Sequence, residues 1–237
     1  MSAVRHTASD GAALPSDIAT AGAPGHLLLA PAFEAFCRFF ISRAGTLTVD
    51  FAAPLPSAPF MVCANHRSHA DSPVLMAAAG IPFAHCGLLA AEDYYFRHPL
   101  RLRVVSSILR IIPVERRPTR AGFAATLAAC SSFLDSGGRL LIAYPEGTRG
   151  SGEALQPFKR GAALLALRHG LPIVPAFISG SERVLPKGGL WPRPDAVSVR
   201  FGAPLSASAS SGAAAARIQA SQLTERLNEQ VRSLARS

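Results

Sequence analysis

The stretch that decides the fold is FMVCANHRSHADSP, residues 60–73, in which an apolar run turns abruptly polar and then meets a Ser-Pro pair. Phe60–Ala64 is nearly all apolar and five residues long, which predicts a buried, central strand. Pro73 favours the first turn of a helix, where its missing N–H does no harm, and Ser72 suits the N-cap. The stretch therefore predicts a strand, a polar loop and a helix in succession.

Strand and helix patterns alternate in the same way along most of the chain. This alternation predicts a single α/β domain with a mostly parallel central sheet flanked by helices, preceded by an N-terminal apolar helical segment. Further strands are predicted at 47–51, 85–91, 111–114, 140–144, 173–178 and 196–201, the last at an edge of the sheet. In such sheets, ligand sites collect on the loops beyond the carboxyl ends of the strands.

Four segments are expected from the changes in composition. Residues 1–25 form a flexible tail without the basic start and apolar run of a secretory signal. Residues 26–45 form an apolar, interfacial helical segment, and residues 46–205 form the main domain. Residues 206–237 hold an Ala/Ser-rich linker, expected at 206–216, and a C-terminal helix with one apolar face, made of Leu223, Leu227, Val231 and Leu234.

The apolar segment carries four closely spaced phenylalanines between Leu27 and Ile41. A bilayer span needs about 20 apolar residues, whereas this run is shorter and is interrupted by Pro31, Glu34 and Arg38. A span is therefore not expected, because charges in hydrocarbon are costly. Two interpretations stay open: a helix packed on the core, or a helix in the membrane interface with its phenylalanines inserted.

Composition excludes several classes of protein. Of the 237 residues, 49% are hydrophobic and only 16% are charged, which excludes a disordered chain, a collagen-like repeat and a small disulfide scaffold. The net charge of +9 favours phosphate esters, anionic lipid or nucleic acid as partners, although heavy use of Ala and Arg also fits genomic bias. The four cysteines lie far apart, which indicates buried thiols in a reducing compartment.

Polar residues are dense directly after the predicted central strand, in the loop 65–71. On an ideal helix, His66 and Asp71 would point about 140° apart. They meet only if the histidine lies in the loop and the aspartate at the start of the helix. A carboxylate on one imidazole nitrogen would then make the other a general base for a hydroxyl group. Two alternatives remain: a Zn²⁺ site that includes His69, or Asp71 as a mere helix cap.

A second polar loop, 144–150, also follows a predicted buried strand. Glycine lets the backbone approach a ligand closely, and the guanidinium of Arg149 suits a phosphate. The alternative is an ordinary Gly/Pro turn with a solvated arginine. The third such segment is 112–116, which begins in the predicted strand 111–114 and ends in an arginine, Arg116.

Together these loops resemble the glycerolipid acyltransferases, the lysophosphatidic-acid acyltransferase-like superfamily. Asn65–Asp71 matches the N-H-x-S-x-x-D block, and Tyr144–Arg149 is similar to the F-P-E-G-T-R block. Ile112–Arg116 looks like the block that usually reads I-P-V-D-R, and Val174–Ile178 is similar to a fourth block, a V-P strand. The order is that of the family, and the resemblance covers roughly Thr46 to Phe201.

The resemblance implies transfer of a fatty acyl group from acyl-CoA or acyl-carrier protein to the hydroxyl of a lysophospholipid, most simply 1-acyl-sn-glycerol 3-phosphate. It implies no cofactor, with acyl-CoA or acyl-carrier protein as co-substrate, and no metal. It also implies no acyl-enzyme, since the thioester is already activated. By the resemblance, His66 is the base and Asp71 its partner, and the acyltransferase domain spans 46–205. The acceptor would be bound by Arg116, Glu146, Gly147, Thr148 and Arg149. The loops would be shaped by Asn65, Ser68, Pro145 and Pro175.

One departure from the family pattern bears on the acceptor. Ala90–Asp93 stands where a basic residue often follows the strand after the first block. A different acceptor, such as lyso-ornithine lipid or a specialised-metabolite hydroxyl, is therefore an alternative. A non-catalytic lipid-binding protein is a further alternative, although a binder has no need of a base.

The expected partners are a membrane lipid surface, the lysophospholipid acceptor and the acyl-CoA or acyl-carrier protein donor. Tyr94–Arg110 interleaves arginines with apolar residues, which suits an anionic lipid surface and equally a core helix with a solvated basic edge. Nucleic acid is not expected, because the chain has no recognisable binding motif. The expected location is cytoplasmic, peripheral on the inner face of the plasma (inner) membrane.

Overall fold

The computed structural model describes residues 29–44, 47–57, 59–92, 105–106, 108–116, 119–150, 154–186, 189, 191–207 and 212–237. The predicted tail at 1–25 and most of the arginine-rich stretch at 94–110 lie outside the described residues.

Seven strands form one sheet in the described part of the chain, and the predicted α/β class is confirmed. Its order is β1-β7-β6-β2-β5-β3-β4, so β2 is the central strand, as its apolar sequence predicts. Neighbouring strands pair in parallel except β6 and β7, which are antiparallel. The strands are β1 (Leu47–Phe51), β2 (Phe60–Ala64), β3 (Cys86–Ala91), β4 (Arg110–Val114), β5 (Leu140–Ala143), β6 (Ile173–Ser179) and β7 (Val197–Phe201).

The last strand, β7, does not lie at an edge, and that prediction is wrong. It lies between β6 and β1, and β1 pairs with it along its whole length, from Leu47 opposite Val197 to Phe51 opposite Phe201. The partner strand β1 is the first in the sequence, about 150 residues away. Such a long-range pairing leaves no mark in the local pattern of β7, whose alternately buried residues only show that one of its faces is covered.

Helices cover both faces of the sheet. They are α1 (Ala30–Ala44), α2 (Asp71–Ala79), α3 (Arg120–Asp135), α4 (Gly161–His169), α5 (Ser181–Val184) and α6 (Ala213–Arg236), with a 3₁₀ turn at Phe83–His85. Thr119 caps α3 through its side chain, because its hydroxyl accepts the N–H of Gly122. α6 starts inside the stretch predicted as a linker, since its first four residues are alanines, the best helix formers.

The start of α2 differs from the prediction. Ser72 is not the N-cap: the helix begins at Asp71, and the preceding Ala70 makes no side-chain cap. The helix ends at Gly80, whose φ of 68° lies in the left-handed region that favours glycine. The earlier start brings Asp71 into the first turn, next to the polar loop.

Alternate side chains of the central strand pack in two separate hydrophobic cores, one on each face of the sheet. Phe60, Val62 and Ala64 belong to the core beneath α1 and α2, whereas Met61 and Cys63 belong to the core beneath α3, α4 and α6. Because successive side chains of a strand point to opposite faces, this division shows a sheet buried on both sides. The buried face of α6 is the predicted one, with Leu223, Leu227 and Val231 inside the second core.

The N-terminal helix α1 packs on the domain with one side only. Cys37 is buried and Phe33 and Phe40 pack against the core, while the backbone N–H of Phe83 donates to Glu34 at 2.9 Å. On the other side, Phe36 and Phe39 are 49% and 62% exposed. The packed interpretation therefore holds for the inner side. No described helix has the length and apolar character needed to cross a bilayer.

Candidate active site

The predicted polar loops meet at one edge of the sheet. β2, β4 and β5 run in parallel, so their carboxyl ends lie side by side, and the loops that follow them open onto a common cavity of about 790 Å³. The cavity walls include His66 from the first loop, Thr148 and Arg149 from the second, 144–150, and Arg116 from the third, 112–116. These residues are far apart in sequence, and the sheet order brings them together.

His66 and Asp71 form a hydrogen-bonded pair at this edge. Nδ1 of His66 lies 2.8 Å from Oδ2 of Asp71, which also accepts the backbone N–H groups of Arg67 and Ser68 at 2.7 and 2.9 Å. A carboxylate can only accept, so Nδ1 carries the proton and Nε2 remains a free acceptor for a substrate proton. Asp71 is fully buried, and its carboxylate orients the imidazole rather than capping α2.

Two further residues of the first loop hold it in place. The side-chain amide of buried Asn65 makes two hydrogen bonds with the backbone of Ile178 in β6, donating to its carbonyl at 2.8 Å and accepting its N–H at 2.7 Å. The hydroxyl of Ser68 donates to the carbonyl of Leu185 and accepts the N–H of Ala70. Asn65 and Ser68 thus lie where the resemblance places loop-shaping residues.

The prolines assigned to loop shape lie on two sides of the site. Pro145 lines the cavity, and its carbonyl accepts the N–H of Lys159 at 2.8 Å. Pro175 lies within β6 opposite Cys63, and its carbonyl accepts the N–H of Gly202 at 2.8 Å.

Glu146 occupies a different place from that implied for an acceptor-binding residue. Its side chain does not line the cavity, and the residue is 6% exposed. One carboxylate oxygen accepts the backbone N–H of His66 at 2.9 Å, and the other accepts that of Gln156 at 3.0 Å. The carboxylate therefore joins the second polar loop to the first and holds the backbone of the proposed base.

Tyr144 packs directly on the imidazole. Its ring stacks on that of His66 with centroids 4.0 Å apart and planes 14° apart, and its hydroxyl lies 2.9 Å from that of Ser72. Sequence reasoning did not assign it a role in the site. Its position at the end of the buried strand β5 is the signal that was available. The stack, together with Asp71, restricts the rotation of the imidazole ring.

Four cationic side chains line the cavity: Arg116, Arg149, Lys159 and Arg160. Arg116 and Lys159 converge on Gly147: the Arg116 guanidinium lies 3.5 Å from the Gly147 carbonyl oxygen, and a Cβ on Gly147 would stand 2.6 Å from Lys159 Nζ. Gly147 also has φ of 75°, so glycine is favoured for two reasons.

Lys159 is not among the site residues predicted from the sequence, although the Phe-Lys-Arg run before α4 could have indicated it. The N-terminus of α4, at Gly161, faces the same space and adds the positive end of the helix dipole. Together with the arginines, it makes this side of the cavity suitable for a phosphate.

Much of the remaining lining of the cavity is apolar. It comes from β3, the residue before β4, α3 and α4, and its residues are Leu88, Leu89, Ala90, Ala91, Leu109, Phe123, Leu164 and Leu165. Ala90 and Ala91 belong to the segment Ala90–Asp93, which stands where the family often has a basic residue, and both line the cavity. The lining of the cavity therefore combines cationic and apolar side chains with His66.

No group of three histidine, cysteine or acidic side chains in the described ranges is placed to hold a metal ion. All four thiols are free and buried, and burial raises the pKa of Cys37, Cys86 and Cys130 to about 12 and also raises that of Cys63. Thiols that stay protonated are poor nucleophiles and poor metal ligands.

The sequence matches a known family, and the fold is similar to that of a solved structure. Residues 46–179, more than half of the chain, match the family model described as Acyltransferase. A 1-acyl-sn-glycerol-3-phosphate acyltransferase of Limnanthes alba is 30% identical over 141 residues, covering 60% of this chain and 48% of the relative. The alpha form from Ovis aries is 29% identical over 127 residues, covering 54% of this chain and 42% of the relative.

The chain spans less than half the length of these curated relatives. The crystal structure of the 1-acyl-sn-glycerophosphate acyltransferase PlsC from Thermotoga maritima has a similar fold, with a TM-score of 0.55 and 21% identity, covering 85% of this chain and 79% of that one. The order of the motifs, the fold and the family match agree. The chain belongs to the acyltransferase family.

Proposed function

We propose that this protein is an O-acyltransferase that moves a fatty acyl group from acyl-CoA or acyl-carrier protein to the hydroxyl of a lysophospholipid. The proposed acceptor is 1-acyl-sn-glycerol 3-phosphate, and the product is phosphatidic acid. The observation that carries the proposal is the His66–Asp71 pair, whose histidine lines a cavity with both cationic and apolar side chains. The relatives from Limnanthes alba and Ovis aries are named 1-acyl-sn-glycerol-3-phosphate acyltransferases, which supports the same acceptor.

In the proposed reaction, Nε2 of His66 removes the proton from the acceptor hydroxyl while the oxygen attacks the thioester carbonyl. The resulting tetrahedral intermediate collapses with cleavage of the carbon–sulfur bond. The imidazolium then returns its proton to the departing thiolate, so the histidine ends as it began. Asp71 stabilises the imidazolium between these steps and keeps its orientation. No covalent acyl-enzyme is required.

The cationic side of the cavity is proposed to bind the phosphate of the acceptor. Arg149 offers two parallel donors that match phosphate oxygens, and Arg116 and Lys159, which both lie close to Gly147, add further positive charge. No carboxylate of the described residues forms an ion pair with Lys159. Its charge is therefore available to an anionic ligand. The apolar wall would take an acyl chain, since burying each CH₂ contributes about 0.8 kcal/mol.

One observation favours a second candidate acceptor. Ala90 and Ala91 supply apolar surface where the family often has a basic residue, so the cavity has less positive charge on that side. An acceptor without phosphate, such as lyso-ornithine lipid or a specialised-metabolite hydroxyl, would use the same base. It would depend less on Arg149.

The test is thiol release from acyl-CoA and acyl-carrier protein with a panel of acceptors, with the product identified by mass. We expect phosphatidic acid from 1-acyl-sn-glycerol 3-phosphate. We also expect Arg149→Ala to raise the KM of this acceptor by about tenfold or more, as loss of a charge-assisted hydrogen-bonding group does. Arg168→Ala, at the exposed far end of α4, is the matched control and should leave KM unchanged.

Each other outcome supports a different conclusion. If the protein acylates lyso-ornithine lipid alone, and Arg149→Ala leaves the KM for that lipid unchanged, the second candidate acceptor is favoured. Lysophospholipid binding without thiol release from either donor would indicate a non-catalytic lipid-binding protein and would contradict the proposal.

We also propose that the protein is peripheral on the cytoplasmic face of the inner membrane, with residues 26–45 at the interface and 46–205 as the catalytic domain. The exposed Phe36 and Phe39 of α1 and the net positive charge support this placement. Binding to anionic vesicles should fall several-fold in the double variant Phe36→Ser/Phe39→Ser. The control Ile218→Ser removes an equally exposed apolar side chain from α6. Equal binding by both variants would contradict the placement.

A further inference from the structure

A serine outside all four sequence blocks contacts the His66–Asp71 pair. Ser181 is fully buried at the first position of α5, and its hydroxyl donates to Oδ1 of Asp71 at 2.5 Å. The other oxygen, Oδ2, accepts from His66 and from two backbone N–H groups. Within the described ranges Oδ1 receives no other donor, so Ser181 alone anchors that side of the carboxylate.

The backbone before Ser181 is shaped to present its hydroxyl. Gly180 has φ of 90°, and a Cβ at this position would lie 2.2 Å from the carbonyl oxygen of Ala196. Both the positive φ and the close approach of backbone favour glycine here. The tight turn at Gly180 ends β6 and places Ser181 beneath the first loop.

The segment around Ser181 is joined to the first loop at three places. Asn65 exchanges two hydrogen bonds with Ile178, Ser68 donates to the carbonyl of Leu185, and Ser181 donates to Asp71. Three of these four bonds involve backbone atoms of the segment 178–185, which fix its distance from the loop. Ser181 makes the remaining bond, and it is the one that reaches the carboxylate itself.

We propose that Ser181 is a positioning residue for the acyl transfer. With Oδ1 anchored, the carboxylate cannot rotate, so Oδ2 stays on Nδ1 and Nε2 stays directed at the acceptor. Without the serine hydroxyl, a buried carboxylate oxygen would lack a donor, and the group would turn to find one. This inference rests on the proposed function of His66 as the base.

The test compares Ser181→Ala with the control Ser179→Ala. Ser179 carries the same side chain two residues earlier, where it makes no hydrogen bond with the described residues. We expect Ser181→Ala to lower kcat by about 10- to 100-fold, as loss of alignment at a reacting group does, with the acceptor KM little changed. Ser181→Cys keeps the volume but is a weak donor, so its kcat should lie between the two. Ser179→Ala should behave as the unsubstituted protein.

A second measurement does not depend on any acceptor. In protein labelled with ¹⁵N-histidine, the His66 signals, assigned by their loss in His66→Gln, should show the Nδ1–H tautomer. In Ser181→Ala they should move towards a mixture of tautomers. If Ser181→Ala does not fold, the same two measurements on Ser181→Cys decide.

An unchanged kcat together with unchanged histidine signals would overturn the positioning role. Shifted signals in a protein that shows no acyl transfer even unsubstituted would support the positioning role and refute the proposed function.

Discussion

Replacing Glu146 by glutamine tests whether this carboxylate supports the backbone of His66 or binds the acceptor. Glutamine keeps one oxygen acceptor but turns an amide NH₂ towards the second backbone N–H, so one of the two bonds, to His66 or to Gln156, is lost. A hydrogen bond to a charged group contributes about 1.5–3 kcal/mol, and the unfolding free energy should fall by that amount. In a chain of this size, this corresponds to a fall in Tm of about 3–12 °C.

The kinetic constants should show whether Glu146 acts through His66 or through the acceptor. Because Glu146 holds the backbone N–H of His66 and does not line the cavity, the substitution should lower kcat and leave the acceptor KM within about threefold. Thermal unfolding and steady-state thiol release measure the two effects. The control is Glu225→Gln on the exposed side of α6, expected to change stability by less than about 0.5 kcal/mol. An unchanged unfolding free energy together with a tenfold higher acceptor KM would refute this reasoning. It would indicate that Glu146 binds the acceptor.

Two further predictions concern charge and thiols. Lys159→Ala should raise the KM for a phosphate-bearing acceptor by several-fold at low ionic strength and less at high salt, because salt screens exposed charges; an effect independent of salt would contradict a direct charge role. The four buried cysteines should resist iodoacetamide at pH 8 in the folded protein, because their raised pKa values keep them protonated, and all four should react in denaturant. Mass spectrometry counts the labels, and rapid labelling of the folded protein would contradict this account.

Local sequence patterns predict most strands and helices of this protein because the signals are local. The apolar run of β2 and the hydroxyl that caps α3 each act within a few residues of chain. The first loop is predictable for a similar reason, since only five residues separate His66 from Asp71. A histidine in a loop and an aspartate in the first turn of a helix meet through local geometry alone.

The parts that sequence reasoning missed depend on distant segments. Ser181 reaches Asp71 from 110 residues away, and β7 is covered by a strand about 150 residues earlier in the chain. The role of Glu146 also depends on a distant segment, since its carboxylate accepts the N–H of His66, 80 residues earlier. Its residue type marks it as important, but only the structure shows that its two oxygens meet backbone N–H groups rather than the cavity.

The measurement that tests the central claim most directly is the rate of thiol release from acyl-CoA with 1-acyl-sn-glycerol 3-phosphate by His66→Ala. The matched control is His85→Ala, whose ring bonds the carbonyl of Gly137 and does not line the cavity. General base catalysis contributes about 10²–10⁴-fold, so His66→Ala should lose at least about 100-fold while keeping its fold by circular dichroism. The control should keep its rate. Full activity in folded His66→Ala would contradict the account.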